Sequence, residues 1–151
     1  MNVLVSACLL GENCKYNGGN NYVEGLLEDL LGEGVSVVAV CPEREGGLPI
    51  PRVPAERVGD KVINKDGEDV TEQFLAGANA ALELAKKHKC KAAVLKSNSP
   101  SCGCGKIYDG TFTGTLVKGN GVTAQLLRRK GIVVYNEDSY EKMLVDFMFE
   151  D

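Results

Sequence analysis

Histidine occurs once in this chain, at His88, and tryptophan not at all. A Ser-His-Asp or Cys-His catalytic unit needs an imidazole beside its nucleophile. His88 instead falls among lysines at the end of an expected helix, so that machinery is disfavoured. Basic residues are not in excess either: 17 Lys and Arg stand against 21 Asp and Glu, a net charge of −4. That balance argues against a broad nucleic-acid footprint. The two basic runs, Lys86-Lys87-His88-Lys89-Cys90-Lys91 and Arg128-Arg129-Lys130, fall where helices are expected to end, and the helix dipole accounts for both. No apolar run reaches the roughly 20 residues that a membrane helix needs. The opening Met1-Asn2-Val3-Leu4-Val5 has no basic leader, so a cytoplasmic location is expected. No G-x-G-x-x-G follows the first expected strand, which leaves dinucleotide binding weakly supported.

What is present is a series of apolar segments of alternating type. Val3-Leu4-Val5, Val35 to Val40, Ala92 to Leu95 and Ile132 to Tyr135 read as short buried strands. Helical spacing marks Val23 to Leu31, a segment led by Phe74, Leu75, Ala78, Leu82 and Ala85, then Val122 to Arg129 and Ser139 to Phe149. Asp69 or Thr71 is the expected cap of the second helix. Gly46 to Pro54 is rich in glycine and proline and is expected as an irregular loop. Val58 to Val70 has the pattern of a small hairpin turning at Lys65-Asp66-Gly67, and Ile107 to Phe112 reads as extended. Alternating strands and helices predict one α/β domain over residues 1–151. It is a three-layer, doubly wound, flavodoxin- or Rossmann-like fold with a mainly parallel sheet. Strand order is not readable.

Six cysteines are present, more than a core of this size needs as staples, and disulfides are rare in a reducing cytoplasm. Cys8 follows the first strand, Cys41 the second, and Cys102 lies in "SNSPSCGCG" after the third. Parallel strands bring all three ends to one edge of the sheet, where ligand crevices form. Three thiolates at one point suit zinc with an open position or an iron–sulfur cluster. A single strand-end cysteine is often only a small buried hydrophobe, but three such coincidences at one edge are harder to explain that way. Cys90 precedes the third strand and is expected at the opposite edge, as a structural residue. Cys14 could approach the site or sit on its rim, and spacing alone does not assign Cys104. Gly103 and Gly105 are expected to let backbone approach a bulky inorganic core. Glu43, close after Cys41, is the acid–base candidate. Ser97, Ser99 and Ser101 are candidate hydrogen-bond donors, while Lys96 and Arg52 are by default solvated charges.

Three ordered blocks, "VSACLLGENCKYNGG", "VCPEREGGLPIPRVPAE" and "LKSNSPSCG…IYDGTFTG", resemble the signature blocks of the thiouracil desulfidase family over residues 3 to about 135. The resemblance implies a layered α/β fold and the removal of sulfur from a thiolated uracil-type base or nucleoside, with hydrogen sulfide as co-product. It implies a 4Fe-4S cluster on Cys8, Cys41 and Cys102, whose fourth iron takes the substrate sulfur. Glu43 would protonate the base or activate water, and Ser101 or Ser99 would position the ring or the leaving sulfur. Cys14 and Cys104 stand outside that ligand set. Two other classes fit the same three thiols: a non-enzymatic metal or sulfur carrier, and a zinc-thiolate hydrolase.

Overall fold

The computed structural model describes residues 1–148. Along the chain run β1 (Asn2–Ser6), α1 (Leu26–Gly32), β2 (Ser36–Val40) and the single turn of α2 (Pro42–Glu45). A hairpin of β3 (Ala55–Val58) and β4 (Lys61–Asn64) leads to the long α3 (Thr71–Lys87) and to β5 (Ala92–Leu95). A second ribbon, β6 (Lys106–Tyr108) with β7 (Leu116–Lys118), precedes α4 (Val122–Arg129), β8 (Val133–Asn136) and α5 (Tyr140–Met148).

The central sheet has the order β2-β1-β5-β8, and every pair in it is parallel. Numbered within the sheet, that is second, first, third, fourth: the flavodoxin-like order, with its switch point between β1 and β5. The α/β class expected from the sequence is the one observed. Alternate residues of the inner strands feed opposite faces. Leu4, Ala93 and Leu95 meet Ala81, Leu82 and Ala85 of α3 and Leu127 of α4. Val3, Val5, Ala92 and Val94 meet Leu26 and Leu30 of α1 and Tyr140 and Met143 of α5. Each fully buried Val or Leu contributes about 1.5–3 kcal/mol, so both layers are held by the strands' unbroken apolar composition. Among the described residues no helix is long and apolar enough to cross a membrane.

Local details depart from the sequence pattern where one residue type decides. Helix α1 starts at Leu26 rather than Val23 because Gly25 takes φ +86° and ends the preceding turn. The hairpin turns at Gly59-Asp60, earlier than expected, with Ala55 paired to Asn64. The chain does reverse again at Lys65-Asp66-Gly67, in a turn closed by the Gly67 N–H on the Asn64 carbonyl at 2.9 Å and by the Asn64 side chain. Asn64 Oδ1 accepts the Asp66 and Glu68 N–H groups at 3.0 and 2.9 Å, and only Ile63 and Asp69 bridge. Neither expected cap of α3 stands at its N-cap: Val70 does, with no side-chain cap bond, while Asp69 Oδ1 one residue earlier accepts the Thr71 N–H at 2.9 Å. The expected extension at Ile107 to Phe112 leaves the strand after Tyr108. Phe149, the expected last residue of the terminal helix, lies outside the described residues.

One contact governs the loop after β2. A Cβ on Gly77 of α3 would overlap the Pro42 carbonyl, and a Cβ on Gly46 would overlap the Gln73 carbonyl. Two glycines thus let α2 lie directly on α3, backbone against backbone. Alanine inside a helix ordinarily stabilises it by up to about 1 kcal/mol relative to glycine. Gly77→Ala is expected to do the reverse, destabilising the protein by about 1–3 kcal/mol through overpacking, as read from chemical denaturation. A stability equal to or above the parent would mean that α2 yields freely.

Candidate active site

The three strand-end cysteines share one cavity of about 910 Å³, together with Cys14, Glu43 and Arg52. Each arrives by a different local device. A short 3-10 turn, Ala7–Leu10, carries Cys8 directly off β1. Cys41 leaves β2 and stands at the N-terminus of α2, with Pro42 as the first helical residue. Cys102 follows β5 through a turn in which its N–H donates to Ser99 Oγ at 2.7 Å.

The sulfurs are not equivalent. Cys102 is buried, and desolvation pushes its thiol up to about 12, although the Ser6 hydroxyl donating to its sulfur at 3.5 Å acts the other way. Burial also raises Cys8, against the Asn21 amide donating to its sulfur at 3.4 Å. Each of these two thiols is raised further by the presence of Cys41. Cys41 is the one held below the ordinary thiol range. Cys14 donates to it, and the Arg44 backbone N–H and the Arg52 guanidinium add to this against burial. A sulfur at a helix N-terminus is a recurrent thiolate position. Cys14, as that donor, is raised. When protonated, Cys41 has its own acceptor in the Cys14 carbonyl, 3.7 Å away.

Glu43 is engaged by Arg52, whose Nε donates to Oε2 at 2.9 Å while Nη2 forms an ion pair with the same oxygen at 2.8 Å. The two side chains are 18% and 7% exposed, so Arg52 is no solvated charge as expected from its loop. It also donates to the Cys14 carbonyl at 2.9 Å, tying the first cysteine loop to the second. On the other flank Lys96 bonds Glu137 at 2.9 Å, and Ser97 Oγ donates to the same carboxylate at 2.8 Å. Burial raises the Glu137 carboxyl, but its bonds to Lys96 and Ser97 outweigh this and leave it below its usual range. Sequence reasoning missed Ser6 and Glu137 and read Arg52 as a solvated charge. None has a periodic signal, and only a tertiary path brings them to the thiols.

The remaining candidates divide. Ser99 lines the cavity while capping the Cys102 turn. Ser101 is turned away: its buried hydroxyl pairs with Thr123 Oγ1 at 2.7 Å, and its carbonyl accepts the Thr123 and Ala124 N–H groups. Cys14 lies inside the cavity rather than at its rim, at 1% exposure. Cys104 packs against the α3 and α4 layer instead, with its sulfur 3.9 Å from the Val134 carbonyl. Cys90 lies in that same layer before β5, at the expected opposite edge. Gly103 serves packing rather than an inorganic core: a Cβ there would come within 2.8 Å of the Ser99 carbonyl and 2.9 Å of Ile107. Gly105 takes φ +87° in its turn.

The donor set decides which group fits. A single zinc bound at 2.3 Å would draw three sulfurs to about 3.8 Å from one another. Among the described residues no three His, Cys, Asp or Glu side chains are gathered closely enough to hold one ion. Three soft donors standing apart around one roomy cavity fit a polynuclear iron–sulfur group instead.

Residues 3–139 match the family described as 2-thiouracil desulfurase. The chain is 43% identical to the uncharacterized protein YbbK of Bacillus subtilis (strain 168), covering 94% of this chain and 99% of that one. It is also similar to a solved structure, the [4Fe-4S]-dependent thiouracil desulfidase TudS, at 44% identity. The TM-score is 0.91, with 97% of each chain covered.

The raised Cys102 thiol makes the stability of the metal-free protein pH-dependent. Unfolding frees the thiol to ionise near its ordinary value of about 8.5, whereas the folded protein retains the proton towards about 12. Above pH 8.5 the unfolded state therefore binds fewer protons, and stability falls as pH rises through that window. Stability is fully present below it. Cys102→Ser should flatten the decline between pH 9 and 10.5 by up to about 1.4 kcal/mol per pH unit, measured by denaturant melts. An unchanged slope would show that this thiol ionises freely in the fold.

Proposed function

This chain belongs to the 2-thiouracil desulfurase family, and on that premise we propose that it hydrolyses the C=S bond of a thiolated uracil-type base, using a 4Fe-4S cluster held by Cys8, Cys41 and Cys102. Thiouracil and water give uracil and hydrogen sulfide, with no net electrons. The observation that carries this reading is the meeting of three strand-end thiols with the Glu43–Arg52 pair in one cavity. The similar desulfidase is described as [4Fe-4S]-dependent, and the donor set here suits the same group.

Bound there, the cluster supplies a thiophilic Lewis acid, one iron free of protein ligands, that takes charge from the leaving sulfur. The protein's own work is proton transfer and placement. Both Arg52 contacts fall on Oε2 of Glu43, leaving Oε1 to take a proton from the water that adds to the thione carbon. As the C–S bond breaks, Glu43 returns that proton to the departing sulfur or to a ring nitrogen. Arg52 fixes the carboxylate's orientation, and effective proton transfer depends on such fixed geometry. Ser99 stands beside the reacting centre. Ser101 acts through the backbone, locking the Cys102 turn onto the start of α4. A metal or sulfur carrier with the same thiols would have no use for a fixed carboxylate.

Anaerobically prepared protein should be coloured and hold about four irons and four sulfides per chain. Cys8→Ser, Cys41→Ser and Cys102→Ser should each lose most of that iron. Glu43→Gln should keep the iron and the visible spectrum while sulfide release from thiouracil falls about 10²–10⁴-fold. Full turnover in Glu43→Gln would return the carrier reading to first place. Bound zinc without iron would favour the zinc hydrolase.

A further inference from the structure

The cavity has a second wall, built away from the thiols. Phe112 and Tyr108 line it. Phe112 holds φ +58°, in the left-handed region that bulky side chains rarely enter. Such a conformation persists only where the surroundings over-determine it, and here they do. The Asp109 N–H donates to the Thr115 carbonyl at 3.0 Å, closing the loop between β6 and β7. The Thr111 N–H and hydroxyl both donate to Asp109 Oδ1, at 2.9 and 2.6 Å. From there a chain of threonine hydroxyls runs Thr111–Thr113–Thr115 at 2.6 and 2.8 Å.

Beneath the loop lies Glu56 of β3, 8% exposed. Its Oε1 accepts the N–H groups of Gly110 and Phe112, at 2.9 and 3.1 Å. Charge-assisted bonds from a buried carboxylate are among the stronger ones a loop can have. Gly110 takes φ +98°, and a Cβ there would come within 2.5 Å of Val58, so the loop is pressed onto the hairpin. A loop braced at both ends and from below, with its one strained residue an aromatic on the cavity wall, is built to hold that ring still. Nothing in the proton chemistry of Glu43 calls for it.

We propose that Phe112 is the platform on which the substrate's ring stacks, and that it selects planar heteroaromatic thiones, with Glu56 as the positioning residue that holds it. This rests on the desulfuration reading above. A pyrimidine presents two flat π-faces, and base–aromatic stacking draws on those faces whatever the ring's substituents. A saturated ring with the same N–H and C=O groups is puckered and lacks that face.

The test compares uracil with 5,6-dihydrouracil on the iron-loaded enzyme by titration calorimetry. The wild type should prefer uracil. Phe112→Leu, which keeps apolar volume without the π-face, and Phe112→Ala should both lose most of that preference and bind uracil roughly tenfold more weakly. KM for thiouracil should rise in parallel with kcat held, as expected for lost binding that ground and transition states share. Glu56→Ala, which frees the loop, should reproduce the KM effect. Iron content and thermal melts of each variant verify that the thiol site and the fold are retained. Wild-type uracil affinity and KM in both Phe112 variants would overturn the proposal while leaving desulfuration standing. Failure of the iron-loaded wild type to release sulfide from thiouracil would instead overturn the desulfuration reading, and the uracil preference would still judge the platform alone.

Discussion

Everything at the active edge depends on β1 lying parallel between β2 and β5. Pairing Ser6 with Val40 and Val5 with Val94 levels the ends of the three strands. Three sulfurs from distant parts of the chain can then reach one cavity without any long connecting loop. The switch of winding direction between β1 and β5 opens the crevice, and the strands' two-sided burial fixes their register. A slip of one residue would turn every inward side chain to the wrong face. The thiols are in this sense a by-product of packing, placed by the same apolar runs that make the core.

Within the cavity the dominant cost is desolvation. Two of the three strand-end thiols are raised by burial, and a largely desolvated ion pair, Glu43–Arg52, stands beside them. Such pairs are weak sources of net stability, because desolvation offsets much of the attraction. Their value here is geometric. Arg52 reaches a carboxylate after β2 and a carbonyl in the loop after β1 at once, so two otherwise separate loops keep a common position. The proximity of Cys14 to Cys41 works similarly, since one thiol's proton stabilises its neighbour's anion.

The sequence made some of this legible and hid the rest for physical reasons. Cys8, Cys41 and Cys102 could be placed in one cavity because each follows an unmistakable apolar run, and parallel topology converts strand ends into a shared edge. Glu43 could be named because it lies two residues past Cys41. Ser101 could not be told from Ser99. Both sit in one turn, and which hydroxyl faces the cavity depends on α4 seating its first N–H groups on the Ser101 carbonyl. Arg52 was misread as surface charge because its loop has no periodicity, and only Glu43 and the Cys14 carbonyl make it an interior residue. Strand order and the earlier hairpin turn at Gly59-Asp60 are likewise products of tertiary pairing. The glycine of α3 that admits α2 is invisible until both elements are in place.

Ser6 is the one buried polar residue of β1, beside fully buried valines and a leucine. A valine would suit the strand's intrinsic preference at least as well. The serine's oxygen accepts the Lys96 amide across the crevice at 2.9 Å while its proton points to the Cys102 sulfur. A single hydroxyl therefore extends the β1–β5 ladder at the very seam where the sheet's two halves part company. The stiffness of that seam and the electron richness of one sulfur are set together, and neither can drift in evolution without dragging the other along.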